Sequence, residues 1–258
     1  MMRRRGKWLE GFGLFWKNRR CNPSHSTGQG NRHRKMSRDV RDTSLALVTT
    51  LDVVDFDGTL VWTPGPEDGR NLYQSCTGVP FPWSGWWGRP ESLRPPLVPS
   101  PAPRDMLNDE LAQRLRASWK DPTHFSIVLT GRVEKLRADV ERILTDLDMG
   151  FLCGEDRLFM KRGSDDVLRF KSNLLLSLVL GDVAALNLSG VKKLVLWDDR
   201  IDQVRGFDEL LRPRLEARGI DVDFYHVSKE TGCTPFPPRT DETPVGARSG
   251  SLGSSIER

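Results

Sequence analysis

The chain has 258 residues and a formal net charge of +4, a length that suits one core domain plus extensions. No apolar run is long enough to cross a bilayer, and no secretory core is present. No glycine-rich P-loop, dinucleotide fingerprint or zinc-type Cys/His spacing occurs, so ATP, NAD and zinc chemistry lack support.

The first element is a basic leader over residues 1–45. Residues 1–41 hold 12 Lys and Arg against Glu10 and Asp39, which leaves the remainder of the chain near −6. Polyanion attraction read from charge therefore belongs to the leader. Three readings of it stay open. Trp8, Leu9, Phe12, Phe15 and Trp16 share one helical face, which suits a mitochondrial presequence or membrane-surface helix. The basic clusters suit RNA binding or nuclear import. The third is a disordered extension, avoided by starting at Met36. Cys21, Cys76, Cys153 and Cys233 are scattered without a Cys-x-x-Cys, so free thiols in a reducing compartment are expected. The location expected is intracellular, cytoplasmic or nuclear, with mitochondria as the alternative that the leader keeps open.

Residues 53–60 read Val-Val-Asp-Phe-Asp-Gly-Thr-Leu, an apolar run ending in two carboxylates one residue apart. Strand residues alternate in facing, so Asp55 and Asp57 point to one side where the chain leaves the sheet. Two like charges there are costly unless a cation or a reaction uses them. A calcium loop fails, because positions six and twelve from Asp55 are Leu60 and Pro66. Residues 61–105 form a Pro-, Gly- and Trp-rich insert with Trp62, Trp83, Trp86 and Trp87, whose prolines disfavour a long helix.

A helix is predicted over 107–119, then a short strand over 126–129 ending at Thr130-Gly131-Arg132. Further helices are predicted over 133–148, 170–186 and 201–218. Strands are predicted over 193–197, ending at Asp198-Asp199-Arg200, and near 222–227. A Pro-, Ser-, Gly- and Arg-rich stretch over 231–258 reads as a disordered tail. Apolar strands separated by helices indicate an α/β fold with a mainly parallel sheet, and ligands collect beyond the carboxyl ends of such strands. All three polar clusters fall there.

At these residues the chain resembles the haloacid dehalogenase superfamily of phosphohydrolases. Asp55-x-Asp57-Gly58-Thr59, Thr130, a lysine and Asp198-Asp199 are similar to its motifs one to four. The likeness is closer still to the haloacid-dehalogenase-type domain of Swiss Army Knife RNA repair proteins, through Trp86-Trp87-Gly88-Arg89-Pro90, Leu129-Thr130-Gly131-Arg132, Phe170-Lys171 and Trp197-Asp198-Asp199-Arg200 with Phe207. It covers roughly residues 51–228. It implies a Rossmannoid three-layer sandwich with a catalytic domain over 46–230 and the insert as a small flap or cap. It also implies that Asp55 is a nucleophile forming an aspartyl-phosphate and that Asp57 is the acid and base.

An anionic carboxylate attacking an anionic phosphate faces repulsion. At about 4 Å and an effective dielectric near 20 it is on the order of 4 kcal/mol, so cations are needed. Asp55, the Asp57 carbonyl, Asp198 and Asp199 offer oxygen ligands that suit Mg2+. Lys171 is the favoured second cation and Lys161 its rival. Thr130 offers a hydroxyl and amides to phosphate. Thr59, Gly131, Arg132 and Arg200 are expected around the substrate, with surface or carboxylate-orienting roles open for both arginines. The expected function is an Mg2+-dependent phosphohydrolase acting on a phosphorylated substrate, of which RNA ends and nucleotides are the narrower reading. The alternative is a catalytically weak scaffold of the same fold.

Overall fold

The structure, a computed structural model, describes residues 48–163, 166–180, 186 and 188–237. The leader expected over 1–45 and the chain beyond 237 lie outside the described residues, as does Cys21. A six-stranded sheet forms the centre, in the order β3-β2-β1-β4-β5-β6. Its strands are β1 (Thr50–Val54), β2 (His124–Val133), β3 (Leu158–Lys161), β4 (Lys193–Asp198), β5 (Asp221–Ser228) and β6 (Gly232–Pro235). The first five run parallel, and β6 pairs antiparallel with β5. The helices are α1 (Pro66–Thr77), α2 (Asp109–Lys120), α3 (Arg137–Asp146), α4 (Val167–Val179), α5 (Ile201–Leu210) and α6 (Arg212–Glu216).

Strand alternation divides the core between the two faces of the sheet. Val54, Val128, Val195 and Trp197 meet α2 and α3 through Leu111, Leu115, Val140 and Ile143. Leu51, Val53, Ile127, Leu194 and Leu196 meet α4, α5 and α6 through Leu175, Leu178, Val204, Phe207 and Leu215. This is the three-layer α/β arrangement expected. The chain builds outward from β1 to β3, then returns to lay β4 on the other side of β1, so the strand order reverses between β1 and β4. Crevices open at such reversals.

The element boundaries depart from the predicted ones for identifiable reasons. The prolines of the insert do not prevent a 12-residue helix: Pro66 begins α1, where no amide hydrogen is needed, and Gly78 closes it at φ 76°. The strand predicted to stop at Leu129 runs on to Val133, because β3 pairs with it. Thr130 pairs with Met160 and Val133 with Lys161, so Gly131 and Arg132 bulge from the ladder. Asp166 accepts a hydrogen bond from the Arg169 amide and starts α4 one turn before Lys171. The helix predicted over 201–218 breaks into α5 and α6 at Leu211, where Pro213 stands in the first turn of α6. The stretch predicted as tail from 231 starts as edge strand β6, which tolerates Pro235.

The base of the insert is closed by bridges from Val61 to Asp57 and Leu107, and by the Trp62 amide on the Met106 carbonyl at 2.7 Å. Leu93, Val98 and Ala102 bury into the α2–α3 side of the core. Arg94 grips Asp139 of α3 with two bonds of 2.7 and 3.0 Å. Tyr73, Phe81, Trp83 and Trp86 pack edge to face or tilted, with ring centroids 5.0–5.9 Å apart. Cys76, Cys153 and Cys233 are free. No helix among the described residues is long and apolar enough to cross a membrane.

Candidate active site

Asp55 leaves the end of β1 and Asp198 ends β4, so both carboxylates stand at the strand-order reversal. The Asp55 amide still bonds the Trp197 carbonyl at 2.9 Å, which fixes the two strand ends together. Lys171, buried on α4, reaches between them: its Nζ lies 2.7 Å from Asp55 Oδ1 and 2.7 Å from Asp198 Oδ2. Lys171 therefore occupies the position for which Lys161 was the rival. Lys161 lies on β3, partly exposed.

Asp57 is held from the other side. Arg132 donates from Nε to Asp57 Oδ2 at 2.8 Å and from Nη2 to Oδ1 at 2.7 Å, and the Thr63 hydroxyl donates to Oδ1 at 2.5 Å. Arg132 Nη1 donates to the Trp87 carbonyl (3.2 Å) and the Ser92 hydroxyl (2.6 Å). The guanidinium is fully buried and occupied, so it matches the carboxylate-orienting alternative rather than an open phosphate clamp. The bulge in β2 turns Arg132 toward Asp57.

Asp199 follows β4 and lies against Gly58. A Cβ on Gly58 would fall 2.5 Å from Asp199 Oδ2, and the residue has φ +69°, so both sterics and backbone call for glycine. His226 Nε2 lies 2.9 Å from the Asp199 carbonyl.

Electrostatics follow from burial. Burial raises the Asp55 carboxyl well above the ordinary aspartate range; Lys171 pulls it back, while Asp198, Asp199 and Asp57 push it up again. Burial, then the charge of Asp198, brings Asp199 up to about 7. Burial by itself would lower the Lys171 pKa, but Asp198 and Asp55 together outweigh it and keep the ammonium protonated. Four carboxylates thus face one ammonium and one guanidinium, and the excess is negative. An all-oxygen set with surplus negative charge fits a hard divalent cation. No group of three His, Cys, Asp or Glu side chains among the described residues is arranged to hold a metal ion by itself. The fit is therefore to an ion that takes one or two carboxylates and keeps its waters.

The remaining expected residues fall around this centre in different ways. Thr130 is buried, and its hydroxyl accepts the Arg132 amide hydrogen at 3.1 Å. Thr59 is also buried: Asn108 Nδ2 donates to its carbonyl at 3.0 Å, and its hydroxyl has no hydrogen-bond partner among the described residues. Gly131 is partly exposed, with Val167 Cγ1 3.0 Å from where its Cβ would stand. Arg200 is exposed and paired with Asp202 at 3.2 Å; its backbone amide, not its guanidinium, bonds Asp198 Oδ1 at 3.0 Å. Sequence reasoning missed Thr63, which meets Asp57 across a local turn, and Ser92, whose partner Arg132 comes from a distant stretch. Asn108 falls inside the helix predicted over 107–119, but it stands at the start of α2 and caps it, its side-chain oxygen accepting from the Leu111 amide at 3.2 Å.

A model of the HAD domain family 1 in Swiss Army Knife RNA repair proteins matches residues 76–240. The chain belongs to this family. Family membership points to hydrolase chemistry of the phosphatase type. The matched stretch begins downstream of Asp55 and Asp57, yet it contains Lys171 and Arg132, which hold those two aspartates. The uncharacterized protein YMR265C of Saccharomyces cerevisiae is 28% identical over 192 residues, covering 68% of this chain and 40% of the yeast protein. The chain thus matches about two fifths of that relative's length. No solved structure matches the chain significantly.

Proposed function

We propose that the protein is an Mg2+-dependent phosphohydrolase that works through an aspartyl-phosphate on Asp55. The supporting observation is Lys171 Nζ bridging Asp55 and Asp198 at 2.7 Å each, a buried cation beside the nucleophile from an element over a hundred residues away. One or two of the Asp55, Asp198 and Asp199 carboxylates, with the Asp57 carbonyl, would hold the magnesium, which when bound supplies positive charge against the phosphate and the attacking carboxylate.

Asp55 attacks phosphorus and the bond to the leaving oxygen breaks, while Lys171 screens the repulsion between carboxylate and phosphate. The leaving oxygen takes a proton from Asp57. Of the two oxygens of Asp57, Oδ1 accepts from both Arg132 and Thr63, whereas Oδ2 accepts only from Arg132 Nε. Oδ2 is thus the atom with a lone pair left to carry that proton. A water then gives a proton to Asp57 and attacks phosphorus, which releases phosphate and restores the Asp55 carboxylate. The insert acts as the cap through Trp87 and Ser92, which bond the same Arg132.

We further propose phosphorylated RNA ends as the substrate class, which rests on the family's membership in RNA repair proteins. Two comparisons test these statements. Asp55→Asn should abolish phosphate release from an aryl phosphate while far-UV dichroism is kept; wild-type turnover in that variant rules out covalent catalysis. Turnover of 3′-phosphorylated oligonucleotides should exceed that of small sugar phosphates; the reverse order removes the RNA reading.

A further inference from the structure

Adjacent tryptophans in the insert have opposite fates. Trp86 is 3% exposed, donates from Nε1 to the Pro64 carbonyl at 3.2 Å and packs on Phe81 at 5.0 Å. Trp87 is 44% exposed and has no ring neighbour among the described residues. Its position is nevertheless fixed. Its carbonyl accepts from Arg132 Nη1, and its indole lies over the Arg132 guanidinium with 4.8 Å to the ring centroid. Arg132 in turn is locked on Asp57 and Ser92. One face of the indole rests on the cation, so the exposure belongs to the opposite face and the ring edge.

We propose that the open face of Trp87 is a stacking platform for an aromatic ring carried by the phosphorylated substrate, a nucleobase on a nucleotide or oligonucleotide end, and that it sets substrate preference at the Asp55–Asp57 site. This rests on the phosphohydrolase reading above. Every nucleobase has a π-face, so stacking tolerates any base. The guanidinium beneath holds the indole in place, so little freedom is lost when a second ring settles on it. Because one arginine holds both Trp87 and Asp57, the stacked ring and the proton donor have a fixed relation. Trp119 supplies an internal control. It is 49% exposed and also lies against an arginine, Arg157 at 4.5 Å, but it stands at the end of α2 near the start of β2, on the opposite rim of the sheet.

The test compares kcat/KM of the full chain for adenosine 5′-monophosphate and ribose 5-phosphate, which differ only in the base. The expected ratio favours the nucleotide by roughly 10- to 100-fold, as base–aromatic stacking gives. Trp87→Ala should bring it near one, Trp87→Phe should keep most of it, and Trp119→Ala should leave it as in wild type. A purely structural role acting through Arg132 would lower both substrates together and leave the ratio unchanged, which overturns the proposal. If the wild type hydrolyses neither compound, quenching of its tryptophan fluorescence by adenosine decides. Quenching lost in Trp87→Ala sustains the platform, and phosphate release from an aryl phosphate then decides the phosphohydrolase reading separately; no quenching overturns the platform.

Discussion

Replacing Lys171 with Met keeps most of the side-chain length and removes the charge, which leaves Asp55 and Asp198 together in a buried site. Both ion pairs of Lys171 are 2.7 Å long, and all three side chains are almost fully buried. Removing one partner of a buried pair costs about 3–5 kcal/mol. The loss is bounded, because a carboxyl can take a proton instead: neutralising an aspartate of ordinary acidity at pH 7 costs about 4 kcal/mol. A deficit of about 3–4 kcal/mol at pH 7.5 is expected on those two grounds. Its pH dependence has a definite sign. In the variant, one further carboxyl of the folded state titrates above its unfolded value, so the folded state binds the extra proton. Stability relative to wild type therefore rises as pH falls from neutral toward the unfolded pKa. The return is about 1.4 kcal/mol per pH unit, so most of the deficit should be gone at pH 5. Urea unfolding of both proteins at pH 7.5 and pH 5 measures this. A deficit below about 1 kcal/mol at pH 7.5 refutes the reasoning, since it lies under the range for a broken buried pair. So does an equal deficit at both pH values.

Three further outcomes follow from the same site. Gly58→Ala should displace the Asp199 carboxylate and cost about 1–2 kcal/mol for the left-handed backbone, read as a lower melting temperature and a weaker response to magnesium. Asp199→Asn should stabilise the cation-free protein above pH 7. The carboxyl titrates near 7 folded against 3.8 unfolded, so the folded state holds the extra proton and wild-type stability falls as pH rises through that window. After screening at a partly exposed group, the gain is on the order of 2 kcal/mol. A melting curve unchanged by the substitution at pH 8 contradicts it. Arg132→Lys should lower kcat by about 100-fold with the fold kept, because an ammonium cannot make the forked contact to both oxygens of Asp57. Retained turnover would show that the orientation of Asp57 does not limit the rate.

The sequence by itself determined the centre of the sheet and its acidic rim. Val53-Val54, Ile127-Val128-Leu129 and Leu194-Val195-Leu196 are apolar on both faces, which suits a parallel strand covered by helices on each side. The polar residues that end those runs were legible for the same reason: they interrupt an apolar pattern where the chain leaves the core. The short strands β3 and β6 were not legible. Four residues carry too little periodicity, and pairing with a formed neighbour decides such segments. The partners of the rim residues were equally hidden. Whether Arg132 meets phosphate or Asp57, and whether Lys161 or Lys171 reaches Asp55, depends on where a bulge turns one strand and where a cap starts one helix. The contacts that result join residues 75 and 116 positions apart. Composition and spacing set the residue types available at the rim, but packing between distant elements chose which cation holds which carboxylate.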